Sequence, residues 1–392
     1  MVRVLVTSAL ATGVALTSLA AQQPQRAGSA PPAPPAPPPL VAIRPIAAPK
    51  HPLPREDKSS DVTRFSFIVY GDTRSATAAD AAVPQPAHVR VIDTMLATIK
   101  ARAKTAFPVR FVLQTGDAVL NGTRGDWWNS SYTPEVERLT AGADLPYFLT
   151  AGNHDVAMTL GGQLLRSFGL HNMLAAFSNL IPAEGSLRRL NGYPTYAFGY
   201  GNVFVIAFDT NVSSDTFQLA WVTDQLEHLD RKRFPVVVAF IHHPPYSSGQ
   251  HGGALLERET ASLRSLYMPL FRRHHVRLIA SGHEHLFEEW VERYTDGGAE
   301  HRMDTIVTGG GGAPTYIYRG EPDLASYVAS GAGQNVRVEH LVKPGATLAE
   351  NPNHFVVMEV DGNTLTAEVV ASDKRAFAPF GGRSRLELTD PK

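Results

Sequence analysis

The chain has 392 residues, a formal net charge of −1 and no cysteine. A balance this close to neutral excludes an electrostatic grip on nucleic acid as the source of affinity, and the missing thiols exclude both disulfides and a thiol-linked lipid anchor. With 43% hydrophobic residues the chain can bury a sizeable core, as one large domain or two modest ones.

Residues 1–21 carry one Arg and then an apolar run ending in small residues, the pattern of a secretory signal peptide cleaved after Ala20 or Ala21. Thr, Ser and Gly interrupt the run, which is short for a membrane span. The expectation is a periplasmic or secreted protein without a stable membrane anchor. Residues 22–60 are rich in Pro and Ala around PPAPPAPPPL. Proline removes donors and favours extended polyproline II, so this stretch reads as a disordered linker. The ordered domain is expected over residues 61–375, followed by a C-terminal tail at 376–392.

FSFIVY at 65–70 supplies the first strand, and HVRVIDTMLATIKARAK predicts a helix whose Val91, Met95 and Ile99 recur on one face. VRFVLQT and LPYFLTA predict the next strands, LLRSFGLHNMLAAF a helix, and TYAFGYGNVFVIAFDTN two strands joined at Gly201-Asn202. Asp215 to Gln218 fits a capping-box-like helix start, with Val222, Leu226 and Leu229 turned toward a sheet. The strand VVVAFI, a helix around LRSLYMPLFRRHH and the strand VRLIAS follow. HFVVMEVDGNTLTAEVVA closes as a hairpin turning at Asp361-Gly362-Asn363. Strands alternate with helices first, then hairpins take over, which by itself supports α/β with extra strands.

Five polar clusters stand directly after apolar runs: Gly71-Asp72-Thr73-Arg74, Gly116-Asp117, Gly152-Asn153-His154-Asp155, His242-His243-Pro244-Pro245 and Gly282-His283-Glu284-His285. Open α/β sheets place their chemistry at the carboxyl ends of strands. Carboxylates, an amide and imidazoles gathered there suit a pair of borderline divalent or trivalent metals. His283 and His285 are two apart; in a loop they can clasp two different ions.

In this order the clusters resemble the calcineurin-like metallophosphoesterase superfamily, and more narrowly its purple-acid-phosphatase-like branch, from about Phe65 to Ala371. The resemblance implies a four-layer α/β/β/α sandwich of two mixed β-sheets. It also implies a dinuclear centre of Fe, Zn or Mn ions, with Asp117 as the bridge. Asn153, His242 and His283 would complete one site, and Asp72 and His285 would serve the other. His154 matches the family's catalytic histidine, which stabilises the transferring phosphoryl group and protonates the leaving oxygen. Asp155 either orients that imidazole or is a structural turn residue. His251, nine residues after His242, matches a histidine lining the phosphate site of the tartrate-resistant acid phosphatases. His243 is expected to support the ligands rather than to be one.

Two positions depart from the family. Where relatives carry His or Gly, this chain has Arg74, which can grip a substrate phosphate bidentately. Where the purple enzymes carry a metal-binding Tyr, it has Leu120. The run Gly309 to Gly312 lacks the Lys-Ser or Lys-Thr of a nucleotide loop and reads as backbone passing the metal cleft. Trp127, Trp128 and Tyr132 either edge that cleft or pack into the domain.

The function expected is an exported metal-dependent phosphoesterase acting on small phosphate esters, monoesters first, by metal-activated water and without a nucleic-acid scaffold. The alternatives are a phosphodiesterase acting on nucleotides or lipid head groups, and a catalytically degenerate protein that binds metal or phosphate.

Overall fold

The computed structural model describes residues 41–157, 163–251, 256–333, 335–373 and 384–388. The expected signal peptide and residues 22–40 of the expected linker lie outside them. Among the described residues, no helix is long and apolar enough to cross a membrane.

The apolar runs form strands Arg64–Tyr70 (β1), Val109–Gln114 (β2), Tyr147–Leu149 (β3), Tyr196–Tyr200 (β4), Val203–Ala207 (β5), Val236–Phe240 (β6) and Leu278–Ser281 (β7). Phe287–Asp296 (β8), Ala299–Thr308 (β9), Val336–Val342 (β10), His354–Asp361 (β11), Thr364–Ala371 (β12) and Arg385–Glu387 (β13) complete the set. They assemble into a six-stranded sheet, β13-β12-β11-β1-β2-β3, and a seven-stranded sheet, β10-β8-β9-β7-β6-β5-β4. Both are mixed. β1, β2 and β3 run parallel, as do β5, β6, β7 and β9, whereas β11 pairs with β1 antiparallel. The two-sheet α/β architecture expected is the one observed.

Period-2 alternation decides which sheet face each residue serves. On β6, Val236, Val238 and Phe240 enter the core shared with the first sheet, while Val237 and Ala239 enter a second core under the helices. Phe148 on β3 stacks on Phe198 of β4 at 4.0 Å, joining the sheets face to face. Helix α1 (Pro86–Arg102) buries Val91, Ile92 and Met95 against the first sheet. Helix α2 (Gln163–Ala176) adds Met173 and Ala176 to the same core. Helix α3 (Thr216–Glu227) buries Val222 and Leu226 against the second sheet, and Asp215 caps it by accepting from Gln218 N at 2.8 Å. Residues 258–273 are helical throughout, with a π-type turn over Leu263–Tyr267.

The ordered fold begins before the expected boundary at residue 61. Ile46 is fully buried and its N–H donates to Ala176 O at 2.9 Å. Asn129 Nδ2 donates to Ala42 O, and Glu56–Ser59 forms a 3₁₀ turn. Extended backbone can still bury a side chain, and sinking one Ile contributes about 1.5–3 kcal/mol. The expected tail likewise supplies β13, with Leu388 buried beside it.

Candidate metal centre

The site forms where the carboxyl ends of β1 and β2 in one sheet meet those of β6 and β7 in the other. Asp72 stands two residues past β1, Asp117 three past β2 and His242 two past β6, and His283 and His285 follow β7. Asp72, Asp117 and His283 adopt φ of 61°, 56° and 70°, the left-handed region that non-glycine residues rarely enter. Such strain persists where the surroundings impose it, and here it turns three donor side chains inward. The glycines make room for them. A Cβ on Gly282 would lie 2.4 Å from Asp72 Oδ2, and one on Gly309 2.8 Å from the same atom. The Gly309 to Gly312 run therefore does pass the cleft.

Cross-strand hydrogen bonds tie the loops together. Asp72 N donates to Gly116 O at 3.0 Å, Gly282 N to His242 O at 3.0 Å, and His283 N to Asp72 Oδ2 at 3.0 Å. Oxygen and nitrogen donors of Asp72, Asp117 and His285 lie within 4.8 Å of one another, as do those of His242, His243 and His283.

The hydrogen bonds made by these side chains leave free the lone pairs that a metal ion needs. His242 Nδ1 donates to Thr115 O at 2.8 Å, so Nε2 carries the lone pair; it points at Asn153 Oδ1 at 2.8 Å and lies 3.5 Å from Asp117 Oδ1. His285 Nδ1 donates to Pro314 O at 2.7 Å, and its Nε2, buried and without a hydrogen-bond partner, lies 3.4 Å from Asp72 Oδ1. His283 Nε2 donates to Glu257 Oε2 at 2.9 Å, leaving Nδ1 3.2 Å from both Asn153 Oδ1 and His242 Nε2. Three imidazole lone pairs thus converge on acceptor oxygens with no proton between them. A cation resolves that repulsion, so the donor set fits metal, and each remote N–H is held in the manner usual for ligating imidazoles.

The electrostatics agree. Burial lowers the pKa of His242 and His283 and brings His285 down to about 3, which favours the neutral form that can ligate. Burial raises Asp72 to about 7. Asp117 is equally buried, but the charges of His242, His154 and Arg74 hold it well below the usual carboxylate range.

Asp72, Asp117, Asn153, His242, His283 and His285 come together as one constellation. His243 is fully enclosed behind it, with Nδ1 2.8 Å from Thr210 Oγ1 and its ring centroid 4.4 Å from that of His283. His154 Nδ1 donates to Leu120 O at 2.7 Å, leaving Nε2 4.0 Å from Asp117 Oδ2. Arg74 Nε donates to Asp117 Oδ2 at 3.2 Å. His251 sits at the rim with its ring centroid 4.6 Å from that of His283, and Glu257 beside it raises its pKa.

Asp155 does not orient His154. Its Oδ1 accepts from Ala118 N and Val119 N, and its Oδ2 from Gly152 N at 2.9 Å, so it clamps the loops that carry Asp117 and Asn153. The imidazole is positioned by the Leu120 carbonyl instead. Trp127, Trp128 and Tyr132 are buried in the domain rather than edging the cleft. A separate surface groove, lined by Arg188, Trp221, Gln225 and Phe234, holds none of the donors above.

Three residues at the site carried no usable sequence signal. Tyr316 stacks on His285 with centroids 4.2 Å apart. Glu284, between the two ligand-position histidines, is buried and accepts from Gln250 N at 2.8 Å and from His251 N at 2.5 Å, anchoring the rim loop. Glu257 belongs to none of the five polar clusters.

Residues 65–287 match the family model described as calcineurin-like phosphoesterase. The chain is similar to "Probable purple acid phosphatase 20" of Arabidopsis thaliana, 30% identical over 156 residues that cover 38% of this chain and 34% of that protein. It is also similar to "Fe(3+)-Zn(2+) purple acid phosphatase 12" of the same plant, 26% identical over 148 residues, 36% of this chain and 29% of that one. The matches thus span about a third of the length of these curated relatives. Among solved structures, purple acid phosphatase PPD1 from yellow lupin (Lupinus luteus) superposes with a TM-score of 0.55 at 16% identity, covering 83% of this chain and 54% of that one. GAP50 of Plasmodium superposes with a TM-score of 0.51, also at 16% identity, covering 84% and 90% respectively. At these identities both structures speak to the fold alone.

Proposed function

Because this chain belongs to the calcineurin-like phosphoesterase family, we propose that it is an exported, metal-dependent phosphoric ester hydrolase with a dinuclear centre, acting first on monoesters. The observation that supports this most directly is the convergence of the His242, His283 and His285 lone pairs on Asn153 and Asp72 oxygens. Asn153, His242 and His283 would hold one ion and Asp72 and His285 the other, with Asp117 shared between them. When bound, two such ions supply a hydroxide near neutral pH and positive charge for the phosphoryl oxygens.

The remaining steps belong to side chains. His154 presents Nε2 to the cleft while Leu120 O holds the opposite nitrogen, so a protonated ring can pass its proton to the leaving oxygen. The single hydrogen bond of the Arg74 side chain uses Nε, leaving both terminal nitrogens without a protein hydrogen-bond partner among the described residues. Those nitrogens can meet a phosphoryl group in the fork geometry guanidinium favours. His251 adds a second cationic group at the rim. A monoester, with more non-bridging charge than a diester, gains more from both. Export rests on the leader read at residues 1–21.

Metal content of the purified protein, paired with rates on a panel of mono- and diesters, tests the whole reading. A metal-free protein inert on every ester would overturn it, and faster diester turnover would replace the monoester assignment. Arg74 is tested separately. Arg74→Ala is expected to leave metal content unchanged and to weaken inhibition by inorganic phosphate about tenfold, since a charge-assisted hydrogen bond contributes about 1.5–3 kcal/mol. Unchanged phosphate inhibition would show that Arg74 serves Asp117 alone.

A further inference from the structure

Glu257 joins two imidazoles that the proposed reaction uses differently. Its Oε2 accepts from His283 Nε2 at 2.9 Å, and its Oε1 lies 3.3 Å from His251 Nδ1. His283 belongs to the donor constellation, where its Nδ1 faces Asn153 and His242. His251 stands at the rim, its side chain about one-third exposed. The two rings lie 4.6 Å apart with Glu257 closing the third side, so one carboxylate touches both.

We propose that Glu257 is a positioning residue that couples metal binding to substrate binding, by holding His283 in its metal-ready tautomer and His251 against it. The inference rests on the phosphoesterase reading of the same site. A carboxylate on the remote nitrogen of a ligating imidazole fixes its orientation and raises its basicity. In this chain the same carboxylate, through its other oxygen, sets where the rim imidazole sits. Glu257 also occupies the N-cap position of the helix starting at Arg258, yet its side chain makes no capping hydrogen bond. Its carboxylate is directed at the imidazoles, so removing it does not uncap the helix.

The experiment uses the full chain and two variants, Glu257→Ala and Glu257→Gln. Zn²⁺ binding to metal-stripped protein is followed by calorimetry, and KM and kcat on a phosphate monoester are measured at saturating Zn²⁺. Glu257→Ala is expected to weaken one of two Zn²⁺ sites by about 10–100-fold, the usual consequence of losing such a partner. At saturating metal it is expected to raise KM several-fold with kcat little changed. Gln carries a single acceptor oxygen and can serve only one ring, so Glu257→Gln is expected to recover either metal affinity or KM, not both. Wild-type Zn²⁺ affinity and wild-type KM in Glu257→Ala, with only the melting temperature lowered, would overturn the proposal. So would full recovery of both parameters in Glu257→Gln. Should the wild-type chain hydrolyse no phosphate ester, the Zn²⁺ titration still reads Glu257 alone, and the two failures remain separate.

Discussion

Asp117→Ala is expected to abolish both metal retention and hydrolysis. The carboxylate is fully buried and touches every part of the centre: Oδ1 lies 3.5 Å from His242 Nε2 and accepts from His154 N at 3.0 Å, and Oδ2 accepts from Arg74 Nε at 3.2 Å. Of the two aspartates in the donor set it is the one held ionised against its own burial, by its neighbours His242, His154 and Arg74. Deleting it strands the Arg74 guanidinium in a buried setting and removes the charge that the two proposed ions would share. Asp117→Asn keeps the shape without the charge and separates lost ligation from lost packing. Elemental analysis is decisive: two equivalents of metal retained in folded Asp117→Ala would remove this residue from the bridging position.

His154→Ala is expected to retain both metal equivalents while losing about 10²–10⁴ in kcat on an ester with a poor leaving group, the range for a positioned acid or base. Alanine preserves the backbone N–H that donates to Asp117 Oδ1 at 3.0 Å, so the constellation keeps that contact. The loss should shrink on an aryl phosphate, whose leaving oxygen needs little protonation. Wild-type rates on an alkyl phosphate would remove His154 from the acid role, and a uniform loss on both esters would point to phosphoryl stabilisation instead.

The contrast between Asp155 and Asp117 shows how far the linear pattern reaches. Both follow a polar cluster after a strand, and both are fully buried acids. One accepts three backbone N–H groups and serves as a clamp; the other faces imidazoles and a guanidinium. Nothing in the dipeptides Gly116-Asp117 and His154-Asp155 separates those fates. The acidic strand β8, FEEWVERYTD, was hidden for a related reason. Glu289 and Glu292 break the apolar pattern of a buried strand, and partners from neighbouring elements make their burial tolerable: Arg302 for Glu289, and Arg272 with the Tyr246 and Tyr327 hydroxyls for Glu292.

The alternating strands and helices, the five polar clusters at strand ends and, through them, the family are legible in the linear order of the residues. Those properties are local: a strand's alternation and the residues just past its end are written in consecutive positions, and only the direction of the chain is needed to read them. Tertiary structure alone decided that Ile46 is core rather than linker, that Leu120 O rather than Asp155 orients His154, and that Glu257 stands between His251 and His283. Each of these depends on which loops from two sheets meet at one rim. A hydrogen bond is chosen by distance and direction in space, and residues far apart in the chain carry no mark of it until the sheets have packed.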